Sequence, residues 1–263
     1  MLNQDIRRTA LYIFRQTPVP ATVVAAVNMC IVYLMAFVAG YILNGNYLWI
    51  MIPLAFAAVT WILLADYFAL RCWLLGKCRF EYLIQPVKDR RLRKKFIPLS
   101  VINAVIYTLL AIPVIVILVI FVVGLLAAVT INEFDFGKLF AFAAVYTVVT
   151  VIVMNALRFM AFIFASGADY KPLGMLKRGF TYLARNWVGW LWFNMTVEFV
   201  PVLIWKVLDI VFNSNPAIII LYLPVMGYLM IARAGYVYEN ILRKEFAQEA
   251  AYSYVADSFT NQI

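Results

Sequence analysis

The basic run Lys88-Asp89-Arg90-Arg91-Leu92-Arg93-Lys94-Lys95 lies between two long apolar stretches of the chain. It holds six of the twenty-two Lys and Arg residues. In a soluble basic protein such a run is typical of nucleic-acid binding. Between apolar stretches it indicates instead which face of a membrane the chain presents to the cytoplasm. We therefore expect anionic lipid headgroups beside it and no nucleic acid.

The composition is that of an integral membrane protein. Of the 263 residues, 66% are hydrophobic and 13% are charged, whereas soluble domains average closer to half apolar. Apolar runs of about 18 residues or more predict helices that cross the bilayer. We expect residues 1–263 to form one membrane domain. The first apolar run begins near Pro20 and is too long for a cleaved signal peptide.

We predict an all-α fold, a polytopic membrane helix bundle with six transmembrane helices. The predicted spans are residues 20–43, 48–70, 96–131, 139–164, 187–212 and 216–234. The long connections 71–95 and 165–186 are expected to be cytoplasmic loops. The short connections contain the Asn and Gly residues that favour turns; they are 44–47, 132–138 and 213–215.

The third span is too long for a bilayer. Residues 96–131 would make about 54 Å of helix, and the hydrocarbon core is about 30 Å thick. Either the helix tilts or kinks, with Pro113 at the bend, or its first turns, with Ser100 and Asn103, lie in the cytoplasm. We expect the second arrangement together with some bend at Pro113.

The positive charges predict the orientation. Lys and Arg occur in the N-terminal segment, in the two long connections and in the tail, whereas the three short connections together hold only Lys138. The positive-inside rule then places both termini in the cytoplasm. We expect a multi-pass protein of the plasma membrane of a prokaryote.

Amphipathic segments flank the predicted bundle. Residues 6–16 carry an apolar face that is typical of a helix lying in the headgroups. The tail carries a similar stripe, which predicts either a headgroup helix or a partner-binding helix. The residues of the first face are Ile6, Ala10, Ile13 and Phe14, and those of the tail stripe are Ile241, Leu242, Phe246, Ala250 and Val255.

Tryptophans mark the expected membrane boundaries. An aromatic belt places Trp and Tyr at headgroup level. We expect Trp49 at the outer boundary, and four others at the inner one: Trp73, Trp187, Trp190 and Trp192.

Ionisable side chains inside a span are costly and therefore indicate function unless they are paired. Glu198 lies near the middle of the fifth span, three residues before Pro201, which leaves the carbonyl of Val197 without its helical hydrogen bond. A carboxylate beside such a carbonyl can form a proton or cation site. A structural ion pair with Arg158 or Arg233 is the simpler interpretation.

Other polar residues in the spans have similar alternatives. Asp66 can pair with Arg71 or with either of those two arginines, or it can snorkel to water. Asn155 and Asn194 favour hydrogen bonds between helices, and an amide-lined polar pathway is the rarer interpretation. Asn28 and Asn103 belong to the same class. Small residues spaced by four predict close helix contacts; the pairs are Ala21 and Ala25, Ala36 and Gly40, and Gly124 and Ala128.

The sequence lacks the residues that several kinds of catalytic and metal sites require. The chain has no His, which excludes His-based zinc hydrolysis and Ser-His-Asp triads. We expect no enzyme activity, no cofactor and no metal site. The three cysteines, Cys30, Cys72 and Cys78, are too few for a disulfide framework.

Roughly half of the chain resembles the YesL-like and related polytopic membrane proteins of prokaryotes. The matching segments are Arg158-Phe159-Met160-Ala161-Phe162, Pro172-Leu173-Gly174-Met175-Leu176-Lys177-Arg178-Gly179-Phe180, Leu183-Ala184-Arg185-Asn186-Trp187, residues 236–244 and residues 80–96. The resemblance implies a six-span protein connected with transport or carbohydrate use.

The sequence leaves two main hypotheses for function. The first is a non-catalytic, transport-associated subunit or accessory protein that docks a membrane or soluble protein partner at the cytoplasmic face, through the basic loop, the 166–186 loop and the tail. A homo-oligomer is the alternative to such a partner. Lys88, Arg90, Arg91, Arg93, Lys94 and Lys95 would contact that partner or anionic lipid. The second is a small-molecule or ion transporter with Glu198 in its pathway. A membrane enzyme acting on lipids is a distant third.

Overall fold

The computed structural model describes residues 3–42, 48–128, 136–200, 203–204, 207 and 216–247. Within these ranges every regular element is a helix, so the all-α prediction is confirmed there. The helices are α1 (Asn3–Gln16), α2 (Pro18–Ile42), α3 (Leu48–Leu75), α4 (Glu81–Lys88), α5 (Arg90–Ala128), α6 (Phe136–Ala165), α7 (Pro172–Phe193) and α8 (Pro216–Val237). Two π-helical turns follow α7 and α8, at Asn194–Phe199 and Tyr238–Leu242.

Three helical stretches in the described ranges are long and apolar enough to cross a membrane. They are Phe56–Leu75 in α3, Ala144–Ala165 in α6, and Ile220–Ala247, which begins in α8. The protein is therefore a helical membrane protein. The first and third predicted spans are helical, as α2 and α5, and the fifth runs from α7 into residues outside the described ranges.

The core lies towards one end of the bundle. We call it the basic end, because it carries α4, the start of α5, the connection 166–171 and the start of α7. Tyr67 of α3 and Phe96 of α5 pack on Phe164 of α6, with ring centroids 5.4 and 6.2 Å apart. Phe193 of α7 stacks on Tyr236 of α8 at 4.1 Å. Buried aromatic rings thus join five helices at this end.

Glycines allow two helix pairs to approach closely. A Cβ atom on Gly179 of α7 would lie 2.5 Å from the carbonyl oxygen of Ala156 on α6. A Cβ atom on Gly227 of α8 would lie 2.9 Å from the backbone of Ala21 on α2. Ala21 therefore lies in a close helix contact, as predicted. The predicted contacts of Ala36, Gly40, Gly124 and Ala128 involve side-chain positions that the structure does not describe.

The predicted loops 71–95 and 165–186 are mostly helical, which corrects the sequence-based boundaries. The basic run contains the end of α4 and the start of α5, and Asp89 joins them. The Asp89 amide donates to Gln85 O at 2.9 Å, and Asp89 Oδ1 accepts from the Arg91 amide at 2.8 Å. Lys and Arg are good helix formers, so charge alone did not indicate a loop. In the second connection only 166–171 is non-helical, because α7 begins at Pro172.

The flanking segments pack on the protein. α1 buries Ile6, Ala10 and Ile13 and lies against α8, so the expectation of a headgroup contact for this face is wrong. In the tail, Ile241 and Leu242 are also buried. Phe246 packs on the same core, whereas Ala250 and Val255 lie outside the described residues.

Only part of the predicted inner tryptophan belt is exposed. Trp187 and Trp192 are exposed, whereas Trp73 and Trp190 are buried in the core. Trp190 packs edge-on against Phe159 at 5.3 Å, because α7 turns this side towards α6. The side chain of Trp49 lies outside the described residues.

Candidate functional site

A buried polar cluster lies where α3, α5 and α6 meet. Asp66 of α3 is 7% exposed. α3 packs on both α5 and α6, and Tyr107 of α5 packs on the same core. Asp66, Arg158 and Arg233 each take part in a further polar, ring or charge interaction. Asp66 and Arg158 thus lie on two helices, α3 and α6, that contact each other, and their pairing stays a prediction.

Two side chains of α5 extend this cluster towards the basic end. Ser100 and Asn103 are 3% and 4% exposed, so their side chains lie in the protein interior. The cytoplasmic location of these turns of α5 stays a prediction. Ser100 Oγ and Asn103 Oδ1 are buried, and neither atom makes a hydrogen bond among the described residues. With Tyr107 they follow a spacing of three and four residues, which places all three on one face of α5. Buried polar atoms of this kind bind ordered water or a small polar ligand.

The two predicted amides near α7 have structural partners. Trp190 Nε1 donates to Asn155 Oδ1 at 2.9 Å, which links α7 to α6. Asn155 Nδ2 donates to Val151 O at 2.8 Å, and Asn194 Nδ2 donates to Trp190 O at 3.0 Å. Asn155 therefore makes the predicted bond between helices, whereas Asn194 bonds within its own helix.

A third amide connects the other side of the bundle. Trp61 Nε1 of α3 donates to Asn28 Oδ1 of α2 at 2.5 Å. Asn28 Nδ2 lies 3.3 Å from the sulfur of Met230 on α8. This amide joins three helices, which is its simpler predicted role.

Glu198 lies in the π-helical turn Asn194–Phe199 that continues α7. π-helical turns are rare and are frequently found at functional sites. The side chain of Glu198, and the residues Pro201, Lys206 and Asp209, lie outside what the structure describes. The predicted cation site there stays a prediction.

The basic run forms an exposed helical corner, which we call the basic elbow (residues 88–95). Leu92 packs on the core and fixes the corner to the bundle. Lys95 forms an ion pair with Asp169 of the 166–171 connection, and its hydrogen bond and charge lower the pKa of Asp169. The other cations of the elbow are exposed, and no carboxylate in the described ranges forms an ion pair with them; they are Lys88, Arg90, Arg91, Arg93 and Lys94.

Further charged contacts fix the tail at the basic end. Arg185 of α7 donates to Glu245 at 2.8 Å, and Glu245 also lies 3.5 Å from the amide of Asn186. Glu239 accepts from Arg243 at 3.0 Å and from Trp73 Nε1 at 3.4 Å. The second half of α7, the tail and the end of α3 are thereby held together.

A groove opens sideways between α6 and α7, and we call it the lateral groove. Its volume is about 850 Å³. Three of the six predicted intramembrane residues line it: Asn155, Arg158 and Asn194. The other lining residues are Val151, Ile152, Phe180, Leu183, Ala184, Trp187, Trp190, Leu191 and Met195. Sequence patterns missed the groove because it requires knowing which faces of α6 and α7 meet.

The comparisons with known proteins give no further assignment. No protein-family model, curated protein or solved structure matches the chain. The resemblance to YesL-like proteins therefore stays a prediction, and function is argued from the geometry alone.

Proposed function

We propose that this chain is a non-catalytic, transport-associated membrane subunit or accessory protein. It spans the membrane six times with both termini in the cytoplasm, and it docks an acidic protein partner through the basic elbow. Two further segments flank the contact surface, the 166–171 connection and the tail.

Helix lengths support the six-span arrangement. α2 has 25 residues and α5 has 39, and about 20 are needed to cross the hydrocarbon core. The extra length of α5 extends beyond the bilayer at the basic end, where its first turns carry the elbow cations. All the described basic connections lie at that end, which supports a cytoplasmic location for it.

The fixed presentation of the elbow cations is the observation that carries the proposal. Five exposed cations project from a helical corner that Leu92 and the Lys95–Asp169 ion pair hold in place. A flexible basic segment would be sufficient for attraction to anionic lipid. A rigid one loses less conformational entropy on binding and gives specificity to a protein contact.

The direct test is copurification of the full chain in mild detergent. We expect a stoichiometric protein partner with the wild type, and its loss when Arg90, Arg91, Arg93 and Lys94 are changed to Gln. A matched control changes Arg7 and Arg8 of α1, which are also exposed, and keeps the partner. A lone monomer or homodimer from wild-type membranes would contradict the proposal.

A transporter is the second candidate, and the π-helical turn at Glu198 favours it. A break in regular helical hydrogen bonding beside a carboxylate is the arrangement that broken-helix transporters use for ions. Reconstituted vesicles with a pH-sensitive dye or a sodium indicator test it. Glu198→Gln should abolish the flux while the exposed Glu81→Gln on α4 preserves it. Equal flux in the two variants removes Glu198 from the pathway.

A further inference from the structure

We infer that the lateral groove binds one acyl chain of an anionic phospholipid, with the headgroup held between Arg158 and Lys177. This site is separate from the basic elbow and does not depend on the proposed function. Its support comes from the shape of the groove, the distribution of charge along it and its depth in the membrane.

The groove has the size and the walls of an acyl-chain site. A volume of about 850 Å³ lies within the roughly 300–1,000 Å³ that is usual for ligand sites. Val151 of α6 and Leu191 of α7 are half exposed on its two walls, whereas Trp190 forms a buried floor. A groove with exposed apolar walls on a membrane helix pair opens towards lipid chains.

Positive charge lies at one end of the groove only. Among the lining residues Arg158 is the single charged side chain. It follows Val151 by seven residues on α6, which is about 10 Å further along the helix. A guanidinium group binds phosphate through two parallel hydrogen bonds.

Lys177 continues the same face of α7 beyond the groove. Phe180 and Ala184 line the groove, and they follow Lys177 by three and seven residues, the spacing of one helical face. Trp187 lines the groove directly after the kink of α7 at Asn186. Lys177 is exposed. An apolar trough with two cations at one end is complementary to an anionic amphiphile.

Trp187 indicates the depth of the charged end. It is 58% exposed and lines the groove one turn beyond Ala184. Exposed Trp side chains prefer the headgroup level of a membrane. Arg158, which lines the groove together with Trp187, would then lie at the phosphates and Lys177 further out, and the apolar end would reach towards the bilayer centre, which selects a phospholipid of the leaflet at the basic end.

The test is lipid retention by the full chain in nanodiscs that contain equal amounts of phosphatidylglycerol and phosphatidylcholine. After transfer to mild detergent, native mass spectrometry counts the lipids bound. We expect one retained phosphatidylglycerol. Ala184→Phe fills the groove and should remove it, whereas Ala144→Phe, at an exposed position of α6 outside the groove lining, should retain it.

A second pair of variants tests the contribution of positive charge to lipid binding. Lys177→Gln should lower retention about fivefold, the effect of one basic residue near an anionic lipid surface, and Lys171→Gln in the connection should leave it unchanged. Equal retention of phosphatidylglycerol and phosphatidylcholine overturns the inference. Equal retention of phosphatidylglycerol by Ala184→Phe and Ala144→Phe overturns it too. A fatty acid or a polypeptide found in place of the phospholipid overturns it as well.

Discussion

The two parts of α6 have similar apolar composition and opposite surroundings. From Ala156 to Ala165 every apolar side chain is buried. Closer to the start of the helix most are exposed: Val145, Val148, Val149, Val151 and Ile152. The same change occurs along α8, where Ile220 and Leu221 are exposed while Ile231 and Val237 are buried. The basic end is packed, whereas most of these described residues towards the far end are exposed.

The difference shows that hydrophobicity does not decide burial in this bundle. Lipid chains are as apolar as leucine, so helices in a membrane associate through small residues, close packing and polar contacts. All of these occur at the basic end, in the Gly179 contact, the aromatic stacks and the Trp190–Asn155 hydrogen bond. Four substitutions test this contrast, in order of decreasing effect.

The stability of the two regions should differ most in their response to substitutions that create a cavity. Leu157→Ala at the packed end removes a side chain that is 2% exposed, and it should cost about 2–5 kcal/mol of unfolding free energy. Leu109→Ala removes the same atoms from a residue that is 60% exposed and should cost much less, since lipid fills the space. Thermal unfolding in mild detergent, followed by size-exclusion chromatography, measures both. Equal losses would contradict the contrast.

Overpacking at a glycine should have the next largest effect. Gly179→Ala places a methyl group 2.5 Å from Ala156 O, so α6 and α7 must separate, at about 1–3 kcal/mol. Gly174→Ala on the same helix meets its nearest atom at 4.0 Å and serves as the control. The same unfolding assay measures both variants. An unfolding free energy of Gly179→Ala equal to that of the wild type would contradict the close approach of α6 and α7.

The tail contact should contribute less. Arg185→Gln leaves the largely buried Glu245 carboxylate with only its amide contact, and we expect a loss of about 1 kcal/mol. Arg243→Gln removes an exposed pair within one helical segment and should cost about 0.3–0.5 kcal/mol. Proteolytic release of the tail provides an independent measurement. Faster release in the Arg243 variant than in the Arg185 variant would reverse the ranking.

The smallest effect concerns pH and the Lys95–Asp169 pair. Lys95 lowers the pKa of Asp169. A carboxyl group with a lowered folded-state pKa stabilises the protein above its ordinary pKa, and this contribution disappears as pH falls through the lowered value. The unfolding temperature of the wild type should therefore exceed that of Asp169→Asn slightly at pH 7 and converge with it as the pH falls below the ordinary pKa range of an aspartate. A difference that persists in acid would show that the substitution acts through another contact.

Sequence patterns predicted the helices well because apolar runs have a direct physical meaning in a membrane. They failed at the basic run and at α7, where charged residues continue a helix instead of forming a loop. They also did not predict the burial of Ser100 and Asn103, although the spacing of these residues with Tyr107 indicates a shared helical face. The lateral groove could not be predicted from the sequence, since Asn155, Arg158 and Asn194 are brought together only by the pairing of α6 with α7.

The most direct test is to determine which side of the membrane carries the basic elbow. Reporters that are active on only one side of the membrane can be fused after Asn46, after Lys88 and after Ser214. The account predicts a cytoplasmic signal after Lys88 and an external signal after both Asn46 and Ser214. A cytoplasmic signal after Asn46 or Ser214 would contradict the six-span orientation and the docking face with it.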